Sequence, residues 1–568
     1  MSSKIEYDVL LVGASPSNLT LALRLVELAS APIRICILEK AKAVGGHLLS
    51  GAVSNPRTLK KIFPDWDKGE FPLAGICKNS YLTVLGAKRH ENVPYAFMPS
   101  YFKKEGYAIL NISEMAAYMA DKLQERAKEK EGVVVDIFPG FPAQSILFEG
   151  DRVVGVKVDN TGDPLADNCY AKVTVFGDKG FVSRDLINKF NLRKNGQTYA
   201  VGVKEVWECQ KSYEGEVWHT TGYPLAAGHL GGGFVYGCKD NKLIIGLVMS
   251  LDFPDPNLRP PLALQDYKKH PFIQEMIKGG KLLKYGASIL PEGGQYGLPE
   301  RFAVDGALMV GDALGTLDVK KFSGVDKAME SGYVAAEVVW EAMKKNDTSA
   351  TALAPYQQRL MSGWVGKELS EARYFRRAFA EYPQMLGWFM PTLQSNIDSG
   401  MGVMTAGFMT GLSNPFGALK LLGAKNMIEN PGEAGSWSYK KDYTHIVPEF
   451  TPKKELSTGY DDGTVYSTAD VVFYAHTHYE EDNKHIDEFN ADTCMKCIAQ
   501  YDRHGKDTPC VGDCTAEVHQ TIEKDGKRRH AMALENCVQC TTCEIVCPWE
   551  NLRVNAAQHG YGPDFMGM

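Results

Sequence analysis

Eight of the chain's thirteen cysteines fall between Cys494 and Cys547, and their spacing is that of metal ligands. Cys537, Cys540, Cys543 and Cys547, followed by Pro548, form the C-x2-C-x2-C-x3-C-P run in which three thiolates hold one [4Fe–4S] cube and the fourth reaches a neighbouring one. Cys494, Cys497, Cys510 and Cys514 repeat it with a stretched middle, as though a surface loop at 498–509 had been inserted. If ligands cross between the runs, Cys494, Cys497, Cys510 and Cys547 hold one cluster, and Cys514, Cys537, Cys540 and Cys543 hold the other. Disulfides are the poorer reading, because they need an oxidising compartment and no secretory signal is visible. Structural zinc suits a pair of C-x2-C units but gives the longer run no purpose. Between the two runs, 518–534 reads as a hairpin turning at Asp525-Gly526.

A second set of residues suits a nucleotide. The apolar stretch 7–12 reads as a buried parallel strand, 19–28 as the helix after it, and Gly13-Ala14-Ser15-Pro16-Ser17-Asn18 joins them. A full dinucleotide fingerprint has three glycines here, and only Gly13 is present; Ser15 offers a hydroxyl to a phosphate, and Asn18 stands where glycine normally lets helix and strand close up. A bare strand–turn–helix is the alternative. Glu39 ends the next strand, 34–38, where a carboxylate accepts from ribose hydroxyls, and Gly45-Gly46-His47-Leu48-Leu49-Ser50-Gly51 follows, with a backbone able to lie along a flat ligand. Farther on, 307–313 is a strand ending in Gly311-Asp312, and Ser323-Gly324-Val325 opens a helix to about 342. A carboxylate there suits a ribityl hydroxyl, and helix N-terminal amides suit the charge of a reduced flavin.

These residues need a scaffold, and 568 residues with 44% hydrophobic content supply several cores, hence two or three domains. A net charge of −7 with no basic stripe argues against nucleic acid, and sparse cysteines outside the tail fit a reducing compartment. Ser113 is expected to cap a helix to about 130, followed by a strand at 133–137, a hairpin at 144–158, and further strands at 233–236 and 242–249. No stretch offers the run of about 20 apolar residues that spans a bilayer. The segments 385–393 and 400–419 are apolar enough to lie in the headgroup region, with a buried helical pair as the alternative.

The runs Val44 to Val53 (VGGHLLSGAV) and Lys204-Glu205-Val206-Trp207-Glu208, with Tyr285-Gly286-Ala287, Glu292-Gly293-Gly294 and Trp364, resemble the electron transfer flavoprotein–quinone oxidoreductase family, within a wider group that includes geranylgeranyl reductases. The same order continues through Lys367-Glu368-Leu369 to Glu480-Glu481-Asp482 and covers nearly the whole chain. That resemblance implies an α/β fold: an FAD-binding Rossmann-like domain of the glutathione-reductase and hydroxylase type, interleaved with a β-rich quinone domain, plus a C-terminal α+β ferredoxin-like domain. The expected divisions are FAD-binding at 1–195 and 301–345, quinone at 196–300, a helical membrane-facing region at 346–430, a linker at 431–485 and the iron–sulfur domain at 486–568.

FAD contacts are expected at Gly13, Ser15, Pro16, Ser17, Glu39, Lys40, Gly46, His47, Leu49, Ser50, Gly51, Ala143, Gly311, Asp312 and Gly324, and quinone contacts at Gly231 and Gly232. The family's single cluster falls on Cys514, Cys537, Cys540 and Cys543, which leaves the other four cysteines as a second complete set. The expected function is transfer of electrons from a soluble electron transfer flavoprotein through [4Fe–4S] clusters and FAD to a membrane quinone, at the cytoplasmic membrane face. A prenyl reductase fed by its ferredoxin domain, or a non-catalytic electron relay, are the alternatives. No acid–base catalyst is assigned; His47 is the one protonating candidate, and a structural role suits it equally.

Overall fold

A computed structural model describes residues 6–49, 51–158, 167–225, 229–252, 258–376, 378, 392–429, 464–480 and 484–568. Ser50, residues 385–391, the linker at 431–463 and the acidic pair Glu481-Asp482 lie outside the described residues.

The apolar run near the N-terminus forms strand Glu6–Val12, which pairs in parallel with Ile33–Glu39 on one side and Asn168–Phe176 on the other. Val133–Pro139 and Ala307–Met309 extend this sheet in parallel, and the expected hairpin, Ser145–Glu149 with Arg152–Lys157, folds onto its edge. Glu6–Val12 and Ile33–Glu39, inside the sheet, are buried on both faces and read as near-continuous apolar runs, whereas Val133–Pro139 leaves Val134 and Phe138 exposed. Helix Pro16–Leu28 packs against Ile112–Lys128 and Val325–Lys345. Helix Ile112–Lys128 is capped by Asn111 rather than Ser113: the Asn111 side chain accepts from the Ser113 and Glu114 amides, while Ser113 is the second helical residue and fully buried. The open ends of the parallel strands, at Val12, Leu38 and Phe176, point the same way, where ligands bind in such sheets.

A second sheet has seven strands, in the order Lys281–Pro291, Tyr199–Glu208, Lys242–Ser250, Gly231–Gly237, Glu216–Gly222, Asn79–Leu85, His90–Asn92. Its last two strands come from far upstream, between strands Ile33–Glu39 and Val133–Pro139 of the first sheet, so the two sheets are woven together rather than strung in series. The Lys-Glu-Val-Trp-Glu motif lies on Tyr199–Glu208, and its role there is architectural. Glu205 is fully buried and accepts from Trp207 Nε1 at 2.8 Å and Lys268 Nζ at 2.9 Å, which pins helix Pro260–Lys269 to the sheet. A buried ion pair of this kind is costly to break because the partner left behind stays charged and dry.

The C-terminal unit is built on two short antiparallel pairs, Ile486–Glu488 with Leu552–Val554 and His519–Lys524 with Lys527–Met532. The second turns through Asp525 and Gly526, both at positive φ, as expected from that dipeptide. The stretched gap between Cys497 and Cys510 is not simply a loop: helix Ala491–Asp502 carries both earlier cysteines and runs on into the gap before Pro509–Gly512 brings in Cys510.

Candidate functional site

The open ends of the first sheet enclose a cavity of about 240 Å³. Its wall includes Gly13, Ser15, Pro16, Ser17, Glu39, Lys40, His47, Leu49, Gly51, Ala143, Asp312 and Gly324 of the expected FAD contacts. Gly46 and Gly311 stand behind it. The Gly46 carbonyl accepts from Phe565 N at 2.7 Å, and the Gly311 amide donates to Ser331 Oγ at 2.9 Å.

The phosphate loop explains its missing glycines. Ser15 caps helix Pro16–Leu28 by accepting from the Asn18 amide, and since Pro16 has no N–H the Ser17 amide is the first-turn donor left for an anion. Asn18 is fully buried, and its amide donates to the carbonyls of Val12 at 2.9 Å and Gly13 at 2.8 Å, so it braces the loop from beneath. Space for it comes from Gly177 on the neighbouring strand, where a β-carbon would stand 2.6 Å from the Asn18 nitrogen. The glycine missing from the helix is thus supplied across the sheet.

Carboxylates ring the cavity at three strand ends. Glu39 accepts from Ala14 N and Ala41 N, each at 2.8 Å, and burial raises its pKa. Burial also raises Asp312, against the pull of the nearby Lys179, whose own pKa burial lowers. Asp178 accepts from the amides of Val182 at 2.8 Å and Ser183 at 3.2 Å through one oxygen, while the other is buried without a partner. An orphaned buried acceptor beside Glu39 and Asp312 suits a ligand rich in hydroxyls. The donors, the helix N-terminus and the bare loop fit FAD.

Lys40 connects this cavity to the iron–sulfur unit. Its ammonium donates to His47 Nδ1 at 2.9 Å and to Gln539 Oε1 at 2.6 Å, and burial brings it down to about 8. Burial, followed by the Lys40 charge, holds His47 well below the ordinary imidazole range, so it is a neutral structural acceptor and not a proton source near pH 7. The Gln539 amide donates to Cys537 Sγ at 3.3 Å. Val538, Gln539, Ala556 and Phe565 also form part of the cavity wall, as do Asp178, Lys179, Phe181 and Ser288. The sequence reading missed all of these. For Asp178 a signal existed, since Phe176-Gly177-Asp178 after a buried strand echoes Val310-Gly311-Asp312.

Cys514, Cys537, Cys540 and Cys543 surround one small cavity, which shares Val538 with the flavin cavity. Cys494, Cys497, Cys510 and Cys547 surround another. All thirteen cysteines are free thiols. The grouping is the one reached by crossing ligands between the two sequence runs. At the first cavity Val518 N donates to Cys514 Sγ at 3.2 Å and Thr515 Oγ1 to Cys540 Sγ at 3.4 Å. Burial pushes the Cys514 thiol up to about 11, so only a cation would hold it as thiolate at neutral pH. Four cysteine sulfurs, three of them on buried residues and Cys540 on a half-buried one, with amide and hydroxyl donors aimed at them, suit an iron–sulfur centre.

Gly231 and Gly232 do not border the flavin cavity; they begin strand Gly231–Gly237, paired with Met249 and Val248. A β-carbon on Gly232 would lie 2.6 Å from the Thr220 carbonyl, so its bareness serves sheet packing. Three residues on, the Phe234 ring closes over Gly51 of the cavity wall. At the glycine end, Gly222 pairs with Leu85, whose carbonyl accepts from Gln394 at 3.1 Å. Beyond Gln394, helices Val403–Ser413 and Pro415–Glu429 expose Phe408 (67%), Phe416 (79%) and Leu419 (65%) to solvent. Among the described residues no helix is long and apolar enough to cross a membrane.

Residues 199–290 match the family described as ETF-QO, ubiquinone-binding, and residues 464–566 match the electron transfer flavoprotein-ubiquinone oxidoreductase 4Fe-4S family. The electron transfer flavoprotein-ubiquinone oxidoreductase of Pseudomonas aeruginosa is 31% identical over 589 residues, covering 99% of each chain. The mitochondrial protein of that name from Arabidopsis thaliana is 30% identical, covering 99% of this chain and 84% of its own. Among solved structures, a geranylgeranyl bacteriochlorophyll reductase-like protein from Thermoplasma acidophilum aligns with a TM-score of 0.54 at 16% identity, over 74% of this chain and 99% of its own, which is a likeness of fold.

Proposed function

The chain belongs to the electron transfer flavoprotein-ubiquinone oxidoreductase family, and on that premise we propose that it passes electrons from a soluble electron transfer flavoprotein, through an iron–sulfur centre and FAD, to a membrane quinone. Bound FAD supplies the ability to exchange one or two electrons, which joins a one-electron centre to a two-electron acceptor.

The chain's own residues hold these parts in line. Cys514, Cys537, Cys540 and Cys543 hold the cluster, and Lys40 and Gln539 fix the loop that carries Cys537 against the flavin cavity. The observation that carries the reading is this shared wall: Val538 borders both the cysteine cavity and the flavin cavity. Ser15 and the first turn of its helix receive the diphosphate, and Glu39, Asp178 and Asp312 offer acceptors to hydroxyls.

The quinone approaches along strand Gly231–Gly237, from Gly231 and Gly232 toward Phe234. Strand rise makes that roughly 10 Å. Support comes from register, because the glycine end of this strand shares its edge with Gly222 and Leu85, where Gln394 anchors the helical region bearing the exposed apolar face. That face rests on the membrane as a monotopic anchor, Phe416 and Leu419 inward. Reduced cysteines suit the cytoplasmic side.

Anaerobic purification of the full chain, with FAD quantified and quinone reduction by reduced electron transfer flavoprotein measured, tests the reading. About one FAD per chain and quinone-dependent reoxidation are expected. No flavin bands after reconstitution with excess FAD would sink it.

A further inference from the structure

Four cysteines remain after the family's cluster is supplied, and the fold brings them together. We propose that Cys494, Cys497, Cys510 and Cys547 hold a second [4Fe–4S] cluster, outboard of the first. The sequence spacing alone left zinc open; the placement of the side chains argues against it.

The two cavities are built alike. Beside the inner one, Val518 N donates to Cys514 Sγ, four residues back, at 3.2 Å; beside the outer one, Asn551 N donates to Cys547 Sγ, four residues back, also at 3.2 Å. Each has a threonine hydroxyl on a sulfur, Thr515 on Cys540 at 3.4 Å and Thr508 with Cys510 at 3.3 Å. Each set has a third contact, Gln539 N to Cys537 Sγ at 3.3 Å and Asn551 Nδ2 to Cys494 Sγ at 3.2 Å. Donors aimed at sulfur stabilise the negative charge of a thiolate-ligated cluster.

Zinc with four thiolates requires Zn–S near 2.3 Å, hence sulfurs about 3.8 Å apart. Among the described residues, the donor triads that converge within 4.8 Å are Cys510–His519–His530 and Glu488–Cys494–His530, and no three of the eight thiols form one. No three sulfurs of the outer quartet therefore converge as closely as the ligands of one zinc ion would. Each mixed triad uses one of the four outer thiols, and His530 is common to both, facing Glu488 Oε2 at 2.5 Å and His519 Nδ1 at 2.8 Å, so His530 is the residue that separates a mixed zinc site from a thiolate cluster.

Position assigns the order. The outer cavity shares no wall residue with the flavin cavity, whereas the inner one does. Helix Pro509–Gly512, bearing Cys510, packs on Thr542–Ile545, bearing Cys543, so the outer site is next in line. Trp549, half exposed at 51%, forms part of its wall toward solvent. A cluster held by Cys494, Cys497, Cys510 and Cys547 would take one electron from the reduced donor flavoprotein and pass one to the inner site, with no bond changes.

The test is made on the full chain isolated without oxygen. About eight iron and eight acid-labile sulfide per chain are expected, with little zinc, and the fully reduced protein should give an EPR spectrum of two interacting centres. Cys497→Ser should halve the iron, retain flavin and leave one isolated centre, while His530→Gln should keep the full iron content. Four iron and four sulfide in the wild-type chain, or bound zinc lost in His530→Gln, would overturn the second cluster. Flavin-dependent quinone reduction in that same preparation would leave the proposed function standing. If Cys497→Ser does not fold, the wild-type iron count and EPR spectrum decide by themselves.

Discussion

Around the inner cavity, Cys514, Cys537 and Cys543 are buried, and their loops are tied into the body of the protein: Tyr285 of the second sheet donates to the Thr515 carbonyl at 2.6 Å, and Tyr479 donates to that of Cys537 at 2.6 Å. Around the outer cavity, Cys494, Cys510 and Cys547 are half-buried, and the neighbours are Glu488, His530 and the exposed Trp549. One quartet is tied into the flavin-side architecture through Tyr285, while the other sits mainly within the small C-terminal unit, braced from the body by Arg259 on Asp507. The difference teaches which quartet faces inward and which faces a partner.

The largest expected effect comes from breaking the inner quartet. Cys543→Ser should cut donor-driven reduction of the flavin by at least about 100-fold, roughly 2.7 kcal/mol of barrier, while a small chemical reductant still bleaches it. Stopped-flow mixing with reduced donor reads this directly. Equal loss in Cys497→Ser, with the inner centre intact by EPR, would mean that entry through the outer quartet is obligatory.

Next comes the shelf beneath the inner quartet. Tyr285 pairs in register with Glu205, and Lys268 neutralises Glu205 inside the protein. Lys268→Met should cost about 3–5 kcal/mol, because Glu205 stays buried without its cation. Thermal or denaturant unfolding measures it, and a change under about 1 kcal/mol would show that the pair is not the anchor described.

Gln539→Leu is a smaller, more local break. It removes an acceptor from buried Lys40, at about 1–3 kcal/mol, and should shift the potential of the inner centre while leaving the outer one in place. Redox titration followed by EPR separates the two, and equal shifts in both would erase the contrast between them. The smallest effect is expected at Asn18, remote from both quartets. Asn18→Gly should lower stability by about 1–2 kcal/mol through two lost hydrogen bonds, with FAD content unchanged; tighter FAD binding would mean that the asparagine obstructs the site rather than bracing it.

Much of this was legible in the sequence because the signals were local. Cysteine spacing, Gly13, Glu39 and Gly311-Asp312 each sit within a few residues of the strand or turn that positions them, and the crossed grouping of cysteines followed from that spacing. Val538, Gln539 and Phe565 were not legible, because they reach the flavin cavity only through docking of the C-terminal unit about 500 residues from Lys40 in the chain. Gly231 and Gly232 carried a further ambiguity. Glycines that admit a ligand and glycines that admit a neighbouring strand look the same until the Val248 carbonyl is seen beside Gly231 and the Thr220 carbonyl beside Gly232. Lys204 to Glu208 carried the family resemblance with no role read for it in the sequence, and its buried ion pair holds a helix to a sheet.

The central claim is that electrons reach the quinone by way of the inner cysteine site and the flavin cavity beside it, and anaerobic rapid mixing of the full chain with reduced electron transfer flavoprotein, followed by a short-chain quinone, tests it most directly. Flavin bands that bleach with the donor and return with quinone, in wild type but not in Cys543→Ser, are the expected result. Quinone reduction at the wild-type rate in Cys543→Ser, with its inner centre absent by EPR, would contradict it.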